Sequence, residues 1–135
     1  AFAAYDSCLQ WKPDNIGCLN NYAYYLSVKN RELDKAEQMS FKTIIKKPNN
    51  PTYLDTYAWI LFQQGRYEDA KKYIDKTLAA VDSTDNDATL YDHAGDIYAT
   101  NGDIIKAVEF WEKALQMQYS KLIARKIKKR TYIKK

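Results

Sequence analysis

The chain has 135 residues, 46% hydrophobic and 14% aromatic, enough apolar material for one compact domain or one short repeat array. Its 4 glycines and 3 prolines cannot supply the turns of a many-stranded β domain, and 2 cysteines are too few for a disulfide framework or a zinc site. The net charge of +4 hides an asymmetry: Ser120–Lys135 carries eight basic residues and no acidic one, leaving 13 basic against 17 acidic over Ala1–Tyr119.

In chain order, the first predicted element is one helix over residues 1–13, with Ala1, Tyr5, Cys8 and Pro13 at a spacing that returns as Ala36, Ser40, Thr43 and Pro48. No methionine precedes Ala1, so the chain is expected to open on the second helix of a broken hairpin, as a C-terminal piece of something longer. Phe2 and Tyr5 are then expected on uncovered apolar surface, where this end frays or self-associates. Cys8 and Cys18 are expected as small buried residues, with a disulfide between them as the alternative.

Three full units follow, at 16–50, 51–84 and 88–119. Each opens on a similar stretch (Leu19–Tyr25, Leu54–Ile60, Tyr91–Ile97) with a small residue at the same place: Ala23, Ala58 and Gly95, 35 and 37 residues apart. Each then repeats the second spacing, as Ala36, Ala70 with Ile74 and Thr77, and Ala107 with Trp111 and Ala114. Apolar residues recurring at threes and fours, as in Leu54, Tyr57, Ala58 and Leu61, predict two helices per unit. Gly65 and Gly102 separate the helices of a pair, while Asn50 before Pro51 and Asp103 before Ile104 supply N-caps. The small residues are expected where antiparallel helices cross closely: Ala23 on Ala36, Ala58 on Ala70, Gly95 on Ala107. Large ones such as Tyr25, Leu61, Tyr98 and Trp111 are expected between neighbouring hairpins. One extra residue falls in Ser27–Leu33, and three more near Asp85–Asp87. The predicted fold is all-α, an α-solenoid of antiparallel hairpins whose faces are buried only by stacking.

The last element, 120–135, continues in helical pattern with Leu122, Ile123, Ile127 and Tyr132 on one stripe. It is predicted to be a basic capping helix that turns its lysines to water. The alternatives are an arm for nucleic acid or acidic membrane lipid, and a tail that meets acidic residues of the body. No segment approaches a membrane span.

Little in the chain points to chemistry. His93 is the sole histidine, and its neighbour Asp92 does not face it on a helix. There is no Gly-rich phosphate loop, nucleophile elbow or His-Glu-x-x-His. No enzymatic activity, cofactor or metal is expected.

The pattern of Leu54, Tyr57, Ala58, Leu61, Gly65 and Ala70, and again of Tyr91, Ala94, Gly95, Tyr98, Gly102, Ala107, Trp111 and Ala114, resembles the tetratricopeptide repeats. The resemblance covers nearly all of Ala1–Tyr119, although Asp82 and Tyr119 stand where the family usually has proline. The wording is similar to bacterial members, with cytoplasm and cell envelope both open. The resemblance implies a non-catalytic scaffold for protein–protein interaction, with the first helix of each hairpin lining a concave groove. Carried over by position, that floor is Asn20, Asn21, Tyr24, Ser27 and Val28, then Asp55, Thr56, Trp59, Phe62 and Gln63. The last unit adds Asp92, His93, Asp96, Ala99 and Thr100.

One subclass of the family clamps C-terminal carboxylates with lysine, arginine and asparagine. Here Asn21 could serve, but Asp55, Thr56 and Asp92 replace the cations. The expected partner is therefore a neutral or basic peptide or helix of another protein, and nucleic acid is not expected. The alternative is an electrostatic adaptor to nucleic acid or an acidic membrane surface through the basic tail.

Overall fold

The computed structural model describes residues 15–81 and 87–134. The expected half-hairpin at 1–13, with Phe2, Tyr5 and Cys8, lies outside the described residues. Among those described, the chain is helical throughout: α1 Ile16–Val28, α2 Leu33–Lys46, α3 Pro51–Gln63, α4 Tyr67–Ala80, α5 Ala88–Thr100, α6 Ile104–Met117 and α7 Lys121–Lys129. The chain divides into two compact units, Ala1–Ala80 and Val81–Lys135.

Five of the described helices start where side-chain oxygens serve the first, otherwise unpaired, backbone N–H groups, whereas Glu32 makes no such bond for α2. Asn50 Oδ1 accepts from the Tyr53 amide at 3.2 Å, with Pro51 in the first turn, and Asp103 Oδ1 accepts from Lys106 at 3.1 Å. Asn15, Asp87 and Ser120 cap α1, α5 and α7 in the same way. Within each hairpin the first helix ends identically. The amides of Arg31, Arg66 and Asp103 reach back to the carbonyls of Leu26, Leu61 and Tyr98 at 3.0, 2.9 and 3.0 Å. That closure needs a left-handed residue just before the donor. Gly65 (φ 80°) and Gly102 (φ 90°) provide it, and Asn30 (φ 55°) substitutes in the first hairpin. The extra residue of that hairpin is accommodated by Glu32, also left-handed at φ 47°.

In the first unit α1 packs on α2 and α3, and α3 packs on α2 and α4. Leu19, Tyr22, Ala23 and Leu26 of α1 join Ala36 and Met39 of α2 and Ile60 of α3 in one apolar cluster. Full burial of a side chain the size of Leu or Ile is worth about 1.5–3 kcal/mol. Ala23, Ala36, Ala58 and Ala70 expose no surface, as close helix crossing requires. Cys18 departs from the expected buried free thiol. It sits in the first turn of α1, half-buried and disulfide-bonded.

A polar clasp joins the two hairpins of this unit. Glu37 on α2 accepts from the Tyr57 hydroxyl on α3 at 3.0 Å, from Gln64 Nε2 at 3.1 Å and from Arg66 at 2.9 Å. Burial pushes the Glu37 carboxyl up, but these hydrogen bonds and the Arg66 charge outweigh it and hold the group below its ordinary value. Burial, then the nearby Glu37, push the Tyr57 hydroxyl up.

In the second unit α5 pairs with α6, and α7 packs on α6. Here the close approach at Gly95 is made by Trp111. A Cβ at Gly95 would run into the Trp111 indole, so the space the glycine leaves is filled by that ring. Trp111 is fully buried, against Gly95 and Asp96 of α5 and facing the Lys126 ammonium of α7.

Candidate functional site

The residues expected to line a floor are sorted by the structure into exposed and buried sets. On α1, Asn21 is exposed and Tyr24 half-buried, and Val28 at the helix end is exposed. Asn20 is buried, its Oδ1 without a partner among the described residues, and Ser27 is buried with its hydroxyl donating to the Tyr24 carbonyl at 2.6 Å. On α3, Asp55, Trp59 and Gln63 are half-buried. Gln63 Nε2 donates to the Ser27 carbonyl at 2.9 Å, tying α3 to the end of α1.

Thr56 and Phe62 are buried, which corrects the expectation that they face a partner. Thr56 turns its hydroxyl onto the Thr52 carbonyl at 3.1 Å. Phe62 lies flat against Trp59, ring centroids 4.6 Å apart and planes 13° from parallel, with Tyr67 tilted 5.4 Å away. In the first unit Asn21, Tyr24, Asp55 and Trp59 thus keep accessible surface, and Phe62 is stacked against the tryptophan.

The second unit departs further. Asp92 is half-buried, but His93 and Asp96 are buried, and the acidic pair already has an occupant. The Lys126 ammonium, only 2% exposed, lies 2.8 Å from Asp92 Oδ1 and 2.7 Å from Asp96 Oδ1. Trp111 Nε1 donates to the same Asp96 oxygen at 3.1 Å. Rings complete the enclosure, with the ammonium 5.8 Å from the centroids of both Trp111 and Tyr132.

Burial pushes the Asp96 carboxyl up to about 7. The Lys126 charge pulls it down, while Asp92 adds to the rise. His93 and Asp96 are thus buried rather than facing a partner as the sequence suggested, and Asp96 is already engaged by Lys126 and Trp111. Sequence reading missed Lys126. Its signal was a lysine three residues after Ile123, inside the apolar stripe of α7, with two aspartates four apart on one helix face to receive it. The tail accordingly caps α6 and meets acidic residues of the body at once.

Among the described residues, no helix is long and apolar enough to cross a membrane. A family model described as Tetratricopeptide repeat matches residues 50–120. A TPR repeat-containing protein of Pseudomonas aeruginosa is 31% identical over 67 residues, a region that is 50% of this chain and 11% of that protein. The chain thus spans about a tenth of that relative's length. The crystal structure of MamA superposes with a TM-score of 0.73 at 18% identity, over 95% of this chain and 73% of that one. YrrB, described as a TPR protein with an unusual peptide-binding site, gives 0.72 at 19% identity, over 90% of this chain and 61% of its own. At these identities the structural likeness establishes the fold, an all-α helical-repeat solenoid.

Proposed function

The chain belongs to the tetratricopeptide repeat family, and we propose that it is a protein-interaction scaffold whose first unit takes a neutral or basic peptide or helix of another protein. The observation that carries this reading is the Trp59–Phe62 stack. A half-exposed indole backed by a buried ring is a rigid anchor that costs little entropy to use, the kind of residue that dominates binding energy. Asp55, one helical turn before Trp59, and Asn21 and Tyr24 on α1 supply an acceptor and polar contacts beside it. Asp55 there disfavours a carboxylate ligand. The peptide-binding site named for YrrB belongs to that protein and supports the reading by analogy of fold. Asp96, whose carboxyl is pushed up to about 7, is already engaged by Lys126 and Trp111.

A random-peptide array probed with the chain tests this. Retained peptides should be neutral or basic, and Trp59→Ala should weaken them by about 2 kcal/mol, some thirtyfold, while keeping the helical circular dichroism signal. Lys72→Ala, at an exposed site on α4, should change neither. Retention of acidic peptides, or loss of fold in Trp59→Ala, would refute the assignment.

A further inference from the structure

At nine residues, α7 is too short to persist as a helix in water by itself. The Ser120 cap, buried Ile123 and the Lys126 ion pairs hold it on the second unit in one rotational setting. In that setting Lys121, Arg125, Lys128 and Lys129 share one face. At about 100° per residue they span an arc of about 100°, opposite Ile123 and Lys126. All four are exposed, and none has an ion-pair or hydrogen-bond partner among the described residues. Immediately before the helix, Met117 is 40% exposed and Tyr119 is 71% exposed. The rest of this unit is acidic, with eight Asp and Glu against two Lys over Val81–Tyr119. An anionic surface would therefore attract the α7 side of the unit and repel the remainder, which orients the approach.

We propose that the outward face of α7 docks on an anionic phospholipid bilayer surface, with Met117 and Tyr119 entering the headgroup layer. The cations supply attraction that falls off within a Debye length, and an exposed thioether and phenol gain by entering the interface. A nucleic-acid backbone would use the cations but give nothing to Met117. Stacking on bases calls for successive open rings, whereas Tyr132 is turned in toward Lys126.

Co-sedimentation of the full chain with vesicles of phosphatidylcholine, with and without one-third phosphatidylglycerol, tests the proposal. Binding should require phosphatidylglycerol and weaken steeply between about 50 and about 300 mM salt. The triple variant Lys121→Glu, Arg125→Glu, Lys128→Glu should lose about a hundredfold or more in affinity. Lys42→Glu, Lys46→Glu, Lys47→Glu, the same charge change at exposed positions on and just after α2, should lose far less. Met117→Ser with Tyr119→Ser keeps every charge and should still weaken binding several-fold. If the triple variant proves unfolded, this pair decides alone. The proposal is overturned if neutral vesicles bind equally, if the α2 variant loses as much as the α7 variant, or if the Met117 and Tyr119 changes have no effect. It is equally overturned if single-stranded RNA or duplex DNA binds tighter than the anionic vesicles at the same salt.

Discussion

Gly95 and Trp111 divide one space between them, and the division is sharp because the indole is also held by its hydrogen bond to Asp96. Gly95→Ala should therefore destabilise although alanine is the better helix former. Overpacking of this kind costs about 1–3 kcal/mol, against the roughly 1 kcal/mol that propensity would return. Thermal unfolding should show a lower melting temperature for Gly95→Ala, and partial recovery when Trp111→Phe is added. Gly17→Ala should cost less, since its Cβ would press only on the capping Asn15 Oδ1, at 3.3 Å. That a small residue was needed at 95 was legible from its register with Ala23 and Ala58. What fills the gap was not, because spacing marks the thin point on one helix and is silent about which ring of the next reaches it.

Among the elements, α7 shows how one side chain can decide the seating of a helix. A buried ion pair contributes little net stability, since desolvation offsets most of the attraction, but removing one partner leaves charge buried and uncompensated. Lys126→Met should accordingly cost about 3–5 kcal/mol. Lys128→Met, at an exposed position of the same helix, should stay within about 0.5 kcal/mol. Amide hydrogen exchange over residues 121–129 is the direct readout, and the Lys126 variant should lose protection there first. Equal protection in both variants would show that Ile123 alone seats the helix. The amphipathic character of α7 was readable from Leu122, Ile123 and Ile127. The role of Lys126 was hidden because eight basic residues over Ser120–Lys135, with no acidic one among them, read as one solvated face.

For the whole molecule, two carboxyls set opposing trends with pH. Glu37 has its folded value lowered, so its clasp is fully effective above its ordinary value of 4.5 and is lost as pH falls through the folded one. Burial raises Asp96 from 3.8 to about 7 against the pull of Lys126, so between those values the folded state binds more of this proton than the unfolded chain does, and the ion pair with Lys126 is complete only above them. Stability from that group falls as pH rises across this window. Melting temperatures measured at intervals from about pH 4 to about pH 8 should show Asp96→Asn gaining on the parent as pH rises, with the gap level above about 7. A constant gap would mean that Lys126 keeps Asp96 ionised throughout.

The architecture was legible for a physical reason: period, small residues, caps and left-handed turns recur, and each repetition reinforces the last. Exposure was not legible, because it depends on what the next helix lays down. Asp55 and Thr56 are neighbours on α3, yet one is half-buried and the other buried, and Asp92 and His93 divide in the same way on α5. The enclosure of Trp111 also has an optical consequence. Its ring has no accessible surface, while that of Trp59 is partly open, so a water-borne quencher reaches the fluorescence of one and not the other. The second unit thus carries a built-in reporter that stays dark to the quencher while α7 is seated and lights up as a target when it lets go.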